Sequence, residues 1–289
     1  MIMIKFVNAK INLGLNIVRK RPDRYHELET IFYPVGKFNG TPLNPEPFCD
    51  ILEVTPADGV EDYFEFSGNP IDCPLEKNLV YKALQNFRQK TEIQNKFSVR
   101  LHKNIPDGAG LGGGSADASF MLLALNESVG EPLSKQELIE IAKSLGADCP
   151  FFIENRPVLA TGIGEIMRPA EVNLSGLWVL IVKPDVYIST KEAFAGIIPS
   201  VPEIKIDEII SRPIEEWEER GLKNDFEPHI FRVYPELADI KHQLQESGAV
   251  YSAMSGSGSS FYGIYREKDS AAAAAESFDD SLKVFICKL

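Results

Sequence analysis

The sequence predicts a two-domain α+β fold. Three observations predict it. Segments of alternating polarity and segments with helical spacing both recur along the 289 residues, a glycine-rich loop joins one of each kind, and the composition changes after Phe152. In chain order, Met1–Val18 alternates around Ala9-Lys10-Ile11-Asn12 and reads as strands with a functional turn. A stretch rich in proline and glycine follows at Tyr33–Pro47, then strand-like runs at Ile51–Val54 and Tyr63–Phe66. Leu79, Ala83, Leu84 and Phe87 share one face of a helix predicted over Asn78–Lys90. Phe97–His102 alternates again and reads as a strand. Ser115–Asn126 has a strong helix pattern, and Leu138–Leu145 is a second helix opened by Ser134-x-x-Glu137, the spacing of a reciprocal N-terminal cap. Beyond Phe152, Trp178–Lys183 is a short apolar strand ended by Pro184, and Ile206–Arg220 reads as an acidic helix. Pro235–Ser247 is a helix stopped by Gly248, and Val250–Ser260 is small and glycine-rich. Phe261–Tyr265, Ser270–Phe278 and Lys283–Cys287 follow as strand, helix and strand. The domain boundary is expected near residues 155–165, drawn as 1–158 and 159–289.

A chain of this length buries about 75% of its unfolded surface and needs neither disulfides nor a structural metal to hold together. Hydrophobic residues make up 44% and charged residues 25%, as in ordinary soluble enzymes. The formal net charge of −12 argues against a partner held by a nucleic-acid backbone. It does not argue against a small anionic ligand, which local arrays of N–H groups can hold. Cys49, Cys73, Cys149 and Cys287 are scattered and form no CxxC pair, so reduced thiols in a cytoplasm are expected. No run approaches membrane-spanning length, so neither export nor a membrane partner is expected.

The loop is Pro106-Asp107-Gly108-Ala109-Gly110-Leu111-Gly112-Gly113-Gly114-Ser115, between a predicted strand and a predicted helix. Its five glycines let a bulky anion approach the main chain, and the next helix would aim unpaired N–H groups and the positive end of its dipole at that anion. A flexible linker is the alternative, and the position between a strand and a long apolar helix argues against it. Three familiar phosphate loops do not fit. No lysine precedes Ser115 as Walker A requires, and the formal GxGxxG at Gly108, Gly110 and Gly113 lacks the second strand and acidic residue of a dinucleotide fold. A protein-kinase glycine loop joins two strands, whereas here a helix follows. No GxSxG elbow is present.

With Ala116 added, this loop resembles the ATP loop of the GHMP kinase superfamily, which groups galactokinases, homoserine kinases, mevalonate kinases and phosphomevalonate kinases. Further stretches narrow the resemblance: Ala9-Lys10-Ile11-Asn12-Leu13, Arg21-Pro-Asp-Arg-Tyr25-His26-Glu27-Leu28 and Gly146-Ala-Asp148-Cys-Pro150-Phe151-Phe152. Ala160-x-Gly162-x-Gly164-Glu165, Asn224-Asp225-Phe226-Glu227 and Ser255-Gly-Ser-Gly-Ser-Ser260 extend it over nearly the whole chain. They resemble the branch that uses ATP to phosphorylate a cytidine diphosphate-linked methylerythritol in the non-mevalonate isoprenoid pathway. The resemblance implies an N-terminal domain like the second domain of ribosomal protein S5 and a ferredoxin-like C-terminal domain. It also implies ATP with Mg²⁺, a small-molecule substrate, and a monomer or weak homodimer.

Residue by residue, the resemblance makes Asp148 the base for the acceptor hydroxyl and Lys10 the ammonium beside it. A turn or cap role for Asp148 and a solvated surface role for Lys10 are the alternatives that position alone allows. Tyr25 and His26 match the pair that reads the cytosine, with Phe194 as the opposite wall or, alternatively, a core aromatic. Asn12 and Thr190 are expected at ribose or phosphate, and Gly256 and Gly258 in a turn that lets the substrate pack close. Asn78 and Lys103 match positions near the adenine, although Lys103 also reads as a solvated charge at a strand end. Ser115 is expected to meet phosphate or Mg²⁺, to cap its helix, or both. Gly36–Asp50, with Pro42, Pro45 and Pro47, is longer than the usual strand connection of the branch.

Overall fold

The structure, a computed structural model, describes residues 2–36 and 48–289. Most of the long Gly36–Asp50 connection, residues 37–47, lies outside the described residues. The order begins β1 (Met3–Lys20), β2 (His26–Val35), β3 (Cys49–Ala57), β4 (Tyr63–Gly68), α1 (Leu79–Thr91), β5 (Lys96–Lys103). It continues α2 (Gly113–Ser128), α3 (Lys135–Leu145), α4 (Cys149–Glu154), β6 (Val158–Thr161), β7 (Ile166–Pro169), β8 (Trp178–Lys183). It ends α5 (Thr190–Ala195), α6 (Ile206–Ile210), α7 (Glu227–Val233), α8 (Glu236–Glu246), β9 (Tyr251–Met254), β10 (Phe261–Tyr265), α9 (Lys268–Glu276), β11 (Lys283–Lys288).

The chain divides into two compact units that are not continuous in sequence. The first comprises Met1–Ala9, Lys37–Asp107 and Gly112–Arg156, the second Lys10–Gly36, Gly108–Leu111 and Pro157–Leu289. In the first unit β4 lies parallel to β5, with α1 as the crossover between them. β5 pairs antiparallel with β3, and β3 with residues 3–8 of β1. Asn78 caps α1, its Oδ1 accepting from the Val80 N–H at 2.8 Å. Ser134 and Glu137 form the reciprocal cap that the sequence predicts for α3. α2 is buried on several faces, from Ala116 through Leu125, because α1, α3, α4 and β3 all pack on it.

In the second unit the later part of β1 lies beside β2, which pairs with β6, and β6 with β7. A separate antiparallel sheet has the order β11-β8-β10-β9 and carries α8 and α9. Its core joins Leu180, Val182, Phe261 and Tyr265 to Leu237, Leu244 and Ala271 of those helices.

Two sequence expectations need correction. Met3–Lys20 is one continuous strand rather than strands around a turn, because every residue from Val7 to Ile17 is buried and the polar Lys10 and Asn12 are buried with the rest. Ile206–Arg220 is not one helix: Pro213 ends the first piece, leaving α6 and a single 3₁₀ turn at Ile214–Glu216. Among the described residues no helix is long and apolar enough to cross a membrane. The four cysteines are thiols, exposed at Cys73 and buried at the other three positions. Burial pushes Cys49 and Cys149 each up to about 11.

Candidate active site

The glycine loop is shared between the units: Gly108–Leu111 group with the second and Gly112 onward with the first. In the first unit Gly112 is the N-cap of α2, at φ +73° and without a side-chain capping bond. The N–H groups of the first turn at Gly113, Gly114 and Ser115 therefore stand at the positive end of a sixteen-residue helix dipole. Ser115 lies inside that turn, so the cap role expected for it belongs to Gly112.

Beside this helix start is a cavity of about 230 Å³ lined by Asn78, Leu79, Val80, Lys103, Asp107 and Gly114, with Asp117 also in its wall. Lys103 is not a solvated strand end. It is 2% exposed, and its Nζ donates to Asp50 Oδ2 at 2.5 Å and Asp117 Oδ2 at 2.6 Å. Burial alone would lower its pKa, but the two carboxylates hold it above the ordinary lysine value. Asp50 Oδ1 accepts from the backbone N–H of Asn104 at 2.6 Å and Ile105 at 2.8 Å, fixing the exit of β5 into the loop. Asp117 Oδ1 is buried without a hydrogen-bond partner. Burial, against a single ammonium shared with Asp50, raises Asp117 well above the usual carboxylate range.

Asp148 opens α4, and its side chain makes no capping bond there. Its turn rests against the start of α2. Ser119 Oγ donates to the Cys149 carbonyl at 2.7 Å, and a Cβ added at Gly146 would lie 3.9 Å from Ser115 Oγ. Ser115 and the Asp148 turn thus share one end of the first unit.

In the second unit Lys10 is 3% exposed. Its Nζ donates to Asn12 Oδ1 at 2.6 Å and to the Gly110 carbonyl at 2.9 Å, and lies 5.1 Å over the Phe32 ring centroid. Its backbone N–H donates to the Leu111 carbonyl at 2.9 Å, so the loop is held along β1. Asn12 Nδ2 donates to Thr30 Oγ1 at 3.0 Å, and Tyr262 donates its hydroxyl to the Asn12 carbonyl at 2.7 Å. On the loop's other side, Ser255 Oγ donates to the Gly110 carbonyl at 2.9 Å and the Ser260 N–H to the Ala109 carbonyl at 3.2 Å. Gly110 has φ +75°, and a Cβ there would sit 2.0 Å from the Ser255 carbonyl oxygen. Only glycine fits. A Cβ at Gly256 would lie 3.4 Å from Asn12 Oδ1, so this turn also borders the Lys10–Asn12 pair.

His26 and Phe194 meet directly, with ring centroids 4.7 Å apart and planes inclined by 15°. They form one stacked platform rather than two walls. Phe226 meets Phe194 edge-on at 4.9 Å. Burial, helped by the charge of Lys20, pushes the His26 imidazole below its ordinary value and favours the neutral ring. Tyr25 is 60% exposed next to it. Thr190 is exposed at the first position of α5, one turn before Phe194, and Gly258 lies by Met254 and Ile188.

The residues predicted from sequence therefore fall into two sets. Asn78, Lys103, Pro106, Asp107, Gly112–Ala116 and Asp148 belong to the first unit. Lys10, Asn12, Tyr25, His26, Gly108–Leu111, Thr190, Phe194, Gly256 and Gly258 belong to the second. Sequence reasoning missed Asp50, Asp117 and Thr30. The available signal was a carboxylate inside an apolar strand, Cys49-Asp50-Ile51, and another inside an apolar helix, Ala116-Asp117-Ala118.

In the second unit a buried ammonium is held on the glycine loop, and in the first an uncapped helix start stands beside a half-open cavity; each by itself is a feature suited to binding phosphate groups. Residues 78–156 match the family described as GHMP kinases N terminal domain, and residues 208–284 match GHMP kinases C terminal. The chain belongs to the GHMP kinase family, whose members use ATP. It is 48% identical over 265 residues, 92% of each chain, to the 4-diphosphocytidyl-2-C-methyl-D-erythritol kinase of Parabacteroides distasonis. It is 46% identical over 269 residues to the protein of that name in Bacteroides fragilis, covering 92% of this chain and 93% of the relative. A crystal structure of 4-(cytidine 5'-diphospho)-2C-methyl-D-erythritol kinase superposes with a TM-score of 0.81 at 30% identity, over 99% of this chain and 98% of that one.

Proposed function

We propose that this chain transfers the γ-phosphoryl group of ATP to the tertiary 2-hydroxyl of 4-diphosphocytidyl-2-C-methyl-D-erythritol, a step of the non-mevalonate route to isoprenoid precursors. The observation that carries the reading is Lys10, a buried ammonium held 2.9 Å from a carbonyl of the glycine loop and backed by Asn12. A lysine serving only the fold would gain nothing from burial beside an array of phosphate-binding amides. The likeness to relatives of that name over 92% of the chain supports the same acceptor.

Asp148 takes the hydroxyl proton as the acceptor oxygen bonds to the γ-phosphorus. The bond from that phosphorus to the bridging oxygen breaks, and ADP leaves. A base so positioned contributes about 10²–10⁴-fold. Lys10 offsets the charge that shifts during transfer. Pro106, Asp107 and Gly108–Ala116 hold the triphosphate. Asn78 and Lys103 border the adenine in the cavity of the first unit, whose apolar Leu79 and Val80 suit a flat base.

On the acceptor side, neutral His26 offers one donor and one acceptor to the edge of cytosine, beside Tyr25 and stacked on Phe194. Asn12, Thr190, Gly256 and Gly258 border the rest of the acceptor. Among the described residues no cluster of His, Cys, Asp or Glu could by itself hold a metal ion. Mg²⁺ is therefore proposed to arrive on the triphosphate, where it neutralises oxygen charge. The reading also takes 1–158 as the ATP-binding domain and 159–289 as the C-terminal domain, in a cytoplasmic monomer or weak homodimer.

Purified chain with ATP and Mg²⁺ is expected to phosphorylate the cytidylylated acceptor and to leave mevalonate and homoserine untouched. Comparable turnover of either small acceptor would overturn the assignment. Asp148→Asn is expected to lose about 10²-fold or more in turnover while ATP affinity, read by equilibrium binding, stays within about twofold. Activity near the parent level would remove Asp148 from its role.

A further inference from the structure

The tetrapeptide Asn224-Asp225-Phe226-Glu227 meets both the Ser255–Gly258 turn and the paired rings, through Asn224 and Phe226. It runs along β1, with the Leu15 N–H donating to the Lys223 carbonyl and the Asp225 N–H to the Leu15 carbonyl, each at 2.8 Å. Asp225 Oδ2 accepts from the Ile17 N–H at 2.8 Å. Asn224 is 1% exposed and has both polar atoms of its side chain engaged. Its Nδ2 donates to the Met254 and Gly256 carbonyls, both at 2.8 Å, and its Oδ1 accepts from the Phe226 N–H at 3.0 Å. Glu227 Oε1 accepts from the Met254 N–H at 2.8 Å, and Oε2 from Lys241 Nζ at 2.7 Å. β9 is the edge of its sheet, so the outward N–H and C=O of Met254 would otherwise be unpaired in a buried place. Two side chains take the part of a missing strand there.

The turn they hold, Ser255–Gly258, is the one that abuts Gly110 and borders Asn12. The third member, Phe226, sets the edge-on contact with Phe194, which in turn carries His26. We propose that Asn224-Asp225-Phe226-Glu227 is the positioning element of the acceptor side, with Asn224 and Glu227 locking the Ser255–Gly256 turn against Gly110 and Phe226 locking the Phe194–His26 platform. The proposal rests on the reading given under the proposed function. It assigns two separable effects to four adjacent residues, because the turn serves transfer and the platform serves acceptor recognition.

The test compares Asn224→Ala and Phe226→Leu in steady-state kinetics, at a temperature well below the unfolding midpoint of each variant. Asn224→Ala is expected to lower kcat by about tenfold or more, with KM for the acceptor within about twofold, since three hydrogen bonds are lost together and each is worth up to about a factor of ten. Phe226→Leu is expected to do the reverse, raising KM for the cytidylylated acceptor by about tenfold while leaving KM for ATP and kcat within about twofold. Lys241→Met serves as the control. It removes an ion partner of Glu227 without touching the bond to Met254, so it should lower the melting temperature with neither kinetic effect. Equal shifts in kcat and KM for both variants, or kinetic changes in Lys241→Met that match its loss of stability, would overturn the proposal. Should Asn224→Ala fail to fold, Ser255→Ala removes the hydroxyl between turn and loop and must show the same fall in kcat. Wild-type chain that never phosphorylates the cytidylylated acceptor refutes the underlying function instead. Active wild type without the split refutes only this positioning role.

Discussion

Replacing Lys103 by methionine tests the electrostatics of the first unit most sharply. The side chain is 2% exposed and serves two carboxylates, Asp50 at 0% and Asp117 at 3% exposure. Removing one partner of a buried ion pair costs about 3–5 kcal/mol, because the opposite charge is stranded out of water. Here two are stranded, so the loss belongs at the upper end of that range. A domain's total stability is about 5–15 kcal/mol, so the variant should remain folded at 25 °C but with a much smaller margin. The pH dependence has a definite sign. Without the ammonium, Asp117 is raised further above the usual carboxylate range, so its native form holds a proton that the unfolded chain releases. Stability of Lys103→Met is then present at low pH and lost as pH rises through that raised value, and the deficit against wild type should shrink toward pH 5.

Asp117→Asn is the contrasting variant. It keeps an oxygen for Lys103 and turns an amide toward Asp50, matching one ammonium with one carboxylate, so it should cost under about 1 kcal/mol or stabilise. It should also abolish the fall in stability with rising pH that Asp117 imposes on wild type. Urea unfolding followed by far-UV circular dichroism is the assay. Trp178 and Trp217 both lie in the second unit, so tryptophan fluorescence would miss the event. A Lys103→Met loss below about 1 kcal/mol at pH 8, or one that does not diminish at pH 5, would refute the reasoning.

Two further outcomes are expected. Gly110→Ala forces a side chain into a left-handed backbone position with its Cβ 2.0 Å from the Ser255 carbonyl oxygen. Strain of about 1–3 kcal/mol should appear as a lowered melting temperature together with a fall of at least about tenfold in kcat, whereas unchanged kinetics would separate the loop from catalysis. Among the thiols, burial holds Cys49 and Cys149 protonated near neutral pH, each pushed up to about 11, while Cys73 is exposed at the cavity rim. Intact-mass analysis after iodoacetamide at pH 8 should show one fast adduct, at Cys73, slowed by ATP. A second equally fast adduct would contradict the burial.

What could be read from the chain was what neighbours in sequence decide. Trp178–Lys183 and Phe261–Tyr265 are strands with the predicted bounds, and Ser134 and Glu137 cap α3 as their spacing requires. The glycine loop between a strand and a helix was legible because backbone freedom and helix dipoles are local properties. His26–Val35 was not legible as a strand, since the alternation begun by Glu27-Leu28-Glu29 gives way to the apolar run Ile31-Phe32-Tyr33 and its pairing is with the distant β6.

The division of labour follows from this. By itself the sequence determined the glycine loop between a strand and a helix and the order of most elements, and short motifs resembling the family pointed to Lys10 and Asp148 as candidate functional residues, since each is carried by a short run of residues. Only the tertiary structure decided that Lys103 lies between Asp50 and Asp117, that His26 stacks on Phe194, and that Asn224 and Glu227 complete the edge of β9. Those contacts join residues from 14 to well over a hundred positions apart. They exist because burial removes water as a partner and leaves each polar group to find another wherever the fold brings one near.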